Sequence, residues 1–164
     1  MLFKGPAGFQ RIIYIIMNIV IGIVVSLCLM IGVMQVPVTA DGLLKSVVLS
    51  FFIGYTVSDL IPAMNWGNAL AAALKVRNPL GAHFISSAVL AFFMGTFILF
   101  FCAYINIYDL AGMPGVIGFF ISAYWLVLLA AYVSILVFVP LGGKVATAIS
   151  GFDPAKGANP AVEV

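Results

Sequence analysis

The chain has 164 residues, of which 65% are hydrophobic and 7% charged, with a formal net charge of +2 and a mean hydropathy of +1.26. Soluble domains carry about 25% charged residues, so this chain has too few charges to form a polar skin. Composition excludes a cytosolic enzyme, a nucleic-acid reader and a disordered linker, and it reads as an integral membrane protein in contact with the lipid bilayer.

A spanning helix needs about 20 apolar residues to cross about 30 Å of hydrocarbon. The sequence predicts an all-α protein with four transmembrane helices, over 12–36, 46–62, 84–107 and 116–139. The first is uncharged and ends at Pro37. Its apolar run exceeds the roughly 7–15 residues of a signal-peptide core, and no small-residue cleavage pattern follows, so it is expected to stay in the protein. The second starts after Lys45 and contains Asp59. The third is uncharged, and the fourth is expected to close at Pro140, Gly142 and Gly143. Residues 1–150 then form a single domain, and 151–164, with Pro154, Gly157 and Pro160, a flexible cytoplasmic tail.

Cation placement sets the orientation. Lys4 and Arg11 precede the first span, Lys75 and Arg77 lie between the second and third, and Lys144 and Lys156 follow the fourth. The other two connections hold Asp41 with Lys45, and Asp109. The positive-inside rule puts both termini in the cytoplasm and makes two in–out–in hairpins.

The hairpins echo each other in their second helices. One apolar span meets Pro62 and passes into a small-residue, weakly amphipathic extension, Ala63-Met64-Asn65-Trp66-Gly67-Asn68, that runs on to Ala73. The other meets Pro140 and passes into a like extension, Leu141-Gly142-Gly143-Lys144, that runs on to Ile149. Both run the same way, so the repeat would be parallel, about an axis along the membrane normal. Trp125, Pro140 and Lys144 give the second hairpin a pattern that resembles the DUF2798 type of small bacterial membrane proteins. Their unit is two helices with a Trp in the second, then a Pro and a small, basic extension. The first hairpin departs from that pattern, with Asp59 inside its helix and Trp66 after the proline. The resemblance covers the four spans and implies a bacterial cytoplasmic membrane, but no activity.

Asp59 is the main pointer to function. It follows Lys45 by a helical rise of about 21 Å, which places it inside the hydrocarbon if Lys45 marks the outer interface. A carboxylate at the centre of a spanning helix costs about 2.5–3.5 kcal/mol and usually faces a bundle interior or a wet cavity. Tyr55 and Thr56 lie one turn earlier and Trp66 two turns later, a stripe suited to a cation or proton path. On the alternative reading, Asp59 reaches the headgroups and pairs with Lys75, Arg77 or His83 for structure alone. Pro62 and the polar run through Asn65 either break the helix beside a cavity or mark its exit to the interface. His83 is either a proton shuttle for Asp59 or an interfacial neighbour of Arg77.

Gly22 with Ser26, Gly54 with Ser58, and Ser87 with Ala91 and Gly95 are small-residue pairs and stripes at spacing four, which let helices approach closely. Asn18 reads the same way. Whether these contacts lie within a protomer or between protomers is left open. Cys28 and Cys102 read as packing residues, and no Cys/His cluster points to a metal or other cofactor. Paired carboxylates and an activated nucleophile are also missing, so no catalytic residue is expected. The reading is a homo-oligomeric channel or transporter for a small ion or solute, with Asp59, Tyr55, Thr56, Asn65, Trp66 and His83 along its path. The alternative is a non-transporting scaffold, assembly subunit or lipid-binding module.

Overall fold

A computed structural model describes residues 3–154. The part of the expected tail from residue 155 onward, with Lys156, Gly157 and Pro160, lies outside the described residues.

Helix α1, Gly5–Leu27, opens with a proline in its first turn, where the missing N–H would have had no helical partner. It runs on into a π-helical turn, Cys28–Val33. The wide winding shows in the bonds from Met34 N to Leu29 O (2.8 Å) and from Val36 N to Met30 O (3.0 Å). Helix α2, Ala40–Leu60, starts under Thr39, whose Oγ1 accepts from Gly42 N at 3.2 Å. In its first turns Lys45 pairs with Asp41 at 2.7 Å, with both side chains about three-quarters exposed, so the pair adds little stability.

Pro62 ends α2. It has no N–H to offer the Ser58 carbonyl. Instead Ile61 is extended and Ala63 N bonds Ile61 O at 2.7 Å, an inverse γ-turn centred on Pro62 (φ −75, ψ 55). Helix α3, Ala63–Ala73, follows at a new angle and packs on α4. Its Trp66 ring meets Phe93 edge-on at 5.3 Å.

Helix α4 covers Pro79–Ser150 and is broken at Gly112 (φ 60, ψ −169). The two arms, 79–111 and 113–150, fold back on each other. Phe100 meets Phe120 (6.0 Å), Thr96 Oγ1 meets Tyr124 OH (3.2 Å) and Tyr132 OH donates to Phe84 O (3.5 Å), an antiparallel register. The second arm does not stop at Pro140, as expected from sequence, but continues to Ser150 and caps at Gly151 (φ 71). Pro140 leaves the Leu136 carbonyl without its helical donor, and His83 Nε2 from the first arm sits 3.3 Å from that oxygen. A neighbouring side chain supplies what the proline removes, so the helix persists.

Among the described residues, three helical stretches are long and apolar enough to cross a membrane: Gly5–Val33, Ala40–Leu60 and Pro79–Ser150. Among the described residues there is no strand. The helix limits differ from the predicted spans because caps, not hydropathy, set them. α2 in particular starts at Ala40 rather than 46 and stops at Leu60, short of Pro62. Lys4 Nζ donates to Ile149 O at 3.1 Å and Phe9 packs on Phe152, so the two described ends of the chain meet. The contact of His83 with Leu136 puts the α3–α4 turn, with Lys75 and Arg77, toward the same end.

The interior is closed by Ile21, Val25, Ile98, Val127, Ala131 and Ile135, all at 0% exposure. Gly95, buried in line with Ser87 and Ala91, faces Leu128 and Ala131 of the second arm. That small-residue stripe therefore packs within the chain. Cys28 and Cys102 are free thiols.

Candidate functional site

Two helix faces form the site. On α1, Ala7, Gln10, Arg11 and Tyr14 recur at i, i+3, i+4 and i+7; on α2, Tyr55, Ser58 and Asp59 recur with Pro62 at the same spacing. The two faces line one cavity of about 280 Å³, half polar in character because each face brings hydroxyls and a charge. Gln10 Nε2 donates to Tyr14 OH at 2.7 Å. Arg11 and Asp59 bring opposite charges to the same space.

Asp59 is exposed rather than buried in the helix interior. The reason is the true extent of α2, which puts this carboxylate in the last turn. The helix dipole disfavours an anion at a C-terminus by about 0.3–1 kcal/mol, so Asp59 is not there to stabilise α2. Its neighbours in the cavity account better for its position.

The other residues expected on an ion path scatter. Tyr55 lines the cavity and stacks on Phe51 at 5.9 Å. Thr56 Oγ1 bonds back to Phe52 O at 2.8 Å and lines a separate groove with Phe52, Leu60 and Phe97. Asn65 is exposed on α3, and Trp66 turns to Phe93. The stripe from Asp59 to Trp66 assumed an unbroken helix, and the turn at Pro62 rotates everything after it. His83 lies against the second arm of α4, with Nδ1 3.5 Å from Ser87 Oγ, and does not line the Asp59 cavity. Against that arm its Nε2 is placed to donate to the Leu136 carbonyl. Replacing it by alanine (His83→Ala) leaves a half-buried acceptor without this donor and should cost about 1 kcal/mol. Thermal unfolding in detergent checks this, and an unchanged midpoint would show that the carbonyl is satisfied without the imidazole.

Sequence reasoning missed Gln10, Arg11 and Tyr14, which reach the site from a helix some 40 or more positions away in the chain. Their spacing on α1 was visible, but nothing local ties that face to Asp59.

Behind the cavity runs a buried polar seam. Small residues at spacing four on α2 (Ser46, Ser50, Gly54, Ser58) meet Ser26, Gly22 and Asn18 on α1 in antiparallel order. Ser46 Oγ donates to Ser26 Oγ at 2.8 Å, and a Cβ on Gly22 would sit 3.4 Å from that of Ser50. Asn18 Nδ2 donates to Tyr14 O (2.8 Å) and to Ser58 Oγ (3.3 Å). Ser58 Oγ in turn donates to Met94 Sδ at 3.4 Å. Ser50 Oγ lies 3.6 Å from Cys102 Sγ. Asn18 is fully buried and its Oδ1 has no hydrogen-bond partner; that oxygen rests against Gly54, where a Cβ would overlap it.

Among the described residues no group of three His, Cys, Asp or Glu is placed to hold a metal ion. Comparison with protein-family models, curated proteins and solved structures gives no match for this chain.

Proposed function

We propose that this chain is an integral membrane protein of four crossings, made by α1, α2 and the two arms of α4, and that it acts as a homo-oligomeric channel or transporter for an ion or small solute. The described termini, the α3–α4 turn and the Asp59 cavity face the cytoplasm on this reading, since Lys4, Arg11, Lys75, Arg77 and Lys144 then share the inner side. Self-association follows from the closed interior, because a hydrated solute finds no wide passage through one protomer.

One observation carries the reading. A carboxylate stands at the helix end that least favours it, in a polar cavity with Arg11, Tyr14 and Ser58, beside a break in the backbone. Ionisable residues of spanning helices that face a wet cavity mark ion and substrate pathways, and Asp59 stands at the cytoplasmic mouth of this one. The test is cation flux into liposomes from wild-type protein and Asp59→Asn. Flux should be lost in the variant while its oligomeric state, followed by size-exclusion chromatography, stays that of the wild type. Full flux in Asp59→Asn would remove the carboxylate from the mechanism.

A scaffold or lipid-binding module is the second reading. The observation favouring it is an apolar groove of about 370 Å³ between the arms of α4, lined by Ala88, Phe92, Trp125, Leu128 and Tyr132. Lipid that co-purifies with a folded, non-conducting protein would support it. Kinship with the DUF2798 type in a bacterial cytoplasmic membrane remains a proposal resting on Trp125, Pro140 and Lys144, and it adds no activity to either reading.

A further inference from the structure

We infer that the species carried is the proton, that its path is the buried seam between α1 and α2 inside one protomer, and that Asn18 is the closed gate on that path. This rests on the transport reading of the Asp59 cavity and narrows it.

The seam has a mouth at each end. Tyr14 and Ser58, the two partners of the Asn18 amide, line the Asp59 cavity. At the other end Ser46 and Cys102, the partners of Ser26 and Ser50, line a second cavity of about 410 Å³. The π-helical turn supplies part of its wall through Leu29 and Met30, while Lys45 and Asn106 bring polar groups to it. π-helical turns occur often at functional sites. Ser58 to Ser46 is a rise of about 18 Å along α2, so a line of hydroxyls crosses more than half of a hydrocarbon layer about 30 Å thick.

Tight packing is the ordinary use of small residues at spacing four. It does not account for Asn18. A packing seam has no use for a fully buried acceptor without a partner, since such a group is destabilising unless something pairs with it. The unpaired Oδ1 sits between the two cavities against Gly54, the step of the seam at which α2 presents no hydroxyl. Water is the partner that fits: one molecule donates to Oδ1, and with a few more it spans the roughly 12 Å of rise from Ser58 to Ser50.

In the closed arrangement the amide rests on Gly54 and leaves no room for that water. When the side chain swings away from Gly54, water enters from the Asp59 cavity and joins the hydroxyls into one file. A proton taken up by the first water at that cavity is then matched by one released from the last water at the Ser46–Cys102 cavity. Each intervening oxygen, and the Cys102 sulfur beyond Ser50, gives up one bond to hydrogen and gains another, with no net change in the protein. The seam carries no charged side chain to replace the hydration shell of a metal cation. It also has no width for a hydrated one.

The experiment is proton flux into liposomes loaded with a pH-sensitive dye, under an imposed pH gradient with potassium and valinomycin to hold the potential. Four proteins are compared: wild type, Asp59→Asn, Asn18→Leu and Ser50→Ala. Asn18→Leu fills the gate with an apolar side chain of similar size and should lower proton flux by about tenfold or more, the factor by which an unpaired buried acceptor biases an equilibrium. Its melting midpoint should not fall below that of the wild type, because the orphaned oxygen is gone. Ser50→Ala interrupts the same line one turn away without touching the gate, and it should also reduce flux.

Wild-type proton flux that needs Asp59 but ignores both Asn18→Leu and Ser50→Ala would overturn the inference and leave the transport reading standing, with conduction between protomers. Asp59-dependent flux of another cation with no proton flux would do the same. No flux of any ion from folded wild-type protein would end both.

Discussion

Replacing Gly67 by alanine should loosen α3 from the rest of the molecule, and Gly67→Val should release it. A Cβ at residue 67 would lie 2.6 Å from Ser86 Cα and 2.9 Å from Ser86 O. These are backbone atoms of the first arm of α4, so no rotamer change relieves the overlap. Forcing extra volume into a packed contact costs about 1–3 kcal/mol and sometimes more. The loss falls on α3 alone, because Pro62 uncouples α3 from α2 and the remaining anchors are few: Ala63 and Ala71 are buried, and Trp66 rests half-exposed on Phe93. Limited trypsin digestion gives the readout, since Lys75 and Arg77 follow α3 directly. Cleavage there should accelerate from wild type to alanine to valine while α1, α2 and α4 keep their helix content. Equal cleavage rates in all three would mean that Gly67 does not set the α3–α4 contact.

The second large effect is expected at Gly112, which reverses α4. Its φ of 60 and ψ of −169 fall in a region open essentially to glycine, where another residue pays about 1–3 kcal/mol. A branched residue pays most, so Gly112→Val should drive the local backbone back toward helix. A straight α4 would pull the second arm from the first and expose the row of Ala123, Val127, Ala131 and Ile135, all at 0% exposure in the folded chain. The expected outcome is aggregation on extraction, or a large drop in the melting midpoint. A cysteine pair at Gly95 and Ala131, where a Cβ on Gly95 would lie 3.8 Å from that of Ala131, fits the Cβ separation of a disulfide and should cross-link in the parent and not in Gly112→Val. Efficient cross-linking in that variant would show that the reversal does not depend on glycine.

What could be read from sequence and what could not follows from the range of each interaction. Hydropathy marked the apolar stretches, because a bilayer asks the same of each helix independently. Prolines were read alike and behave differently. Pro62 breaks the backbone, whereas Pro140 sits in a helix that goes on to Ser150. The difference is His83, more than fifty residues earlier, which occupies the carbonyl that Pro140 leaves open. No local pattern carries that information. Gly112 lay between two recognised spans, and its place there is legible as a turn, yet the single-residue reversal is tighter than the loop expected over 108–115.

The site divides in the same way. Asp59 and Tyr55 were picked out on one helix face, and both line the cavity. Arg11 and Tyr14 complete it from α1, and only the packing of α1 on α2 brings them there. Thr56 was drawn in by its place one turn before Asp59, Asn65 by the break at Pro62, Trp66 by a stripe continued through that break, and His83 as a proton partner. The structure brings none of them to the cavity. Asn18 was noticed as a helix-packing residue. Its unpaired oxygen appears only once Gly54 is placed against it.

The meeting of Lys4 with Ile149, and of Phe9 with Phe152, bears on how such a chain is put into a bilayer. The connections at the opposite end of the bundle are residues 34–39 and the reversal at Gly112. On the proposed four-crossing topology, very little hydrophilic chain has to be carried through the lipid during biosynthesis. The charges that travel are the Asp41–Lys45 pair, which can cross neutralised by each other, and Asp109. Each hairpin can enter as a closed unit, already paired with itself, and the work of translocation is close to the least that two such hairpins allow.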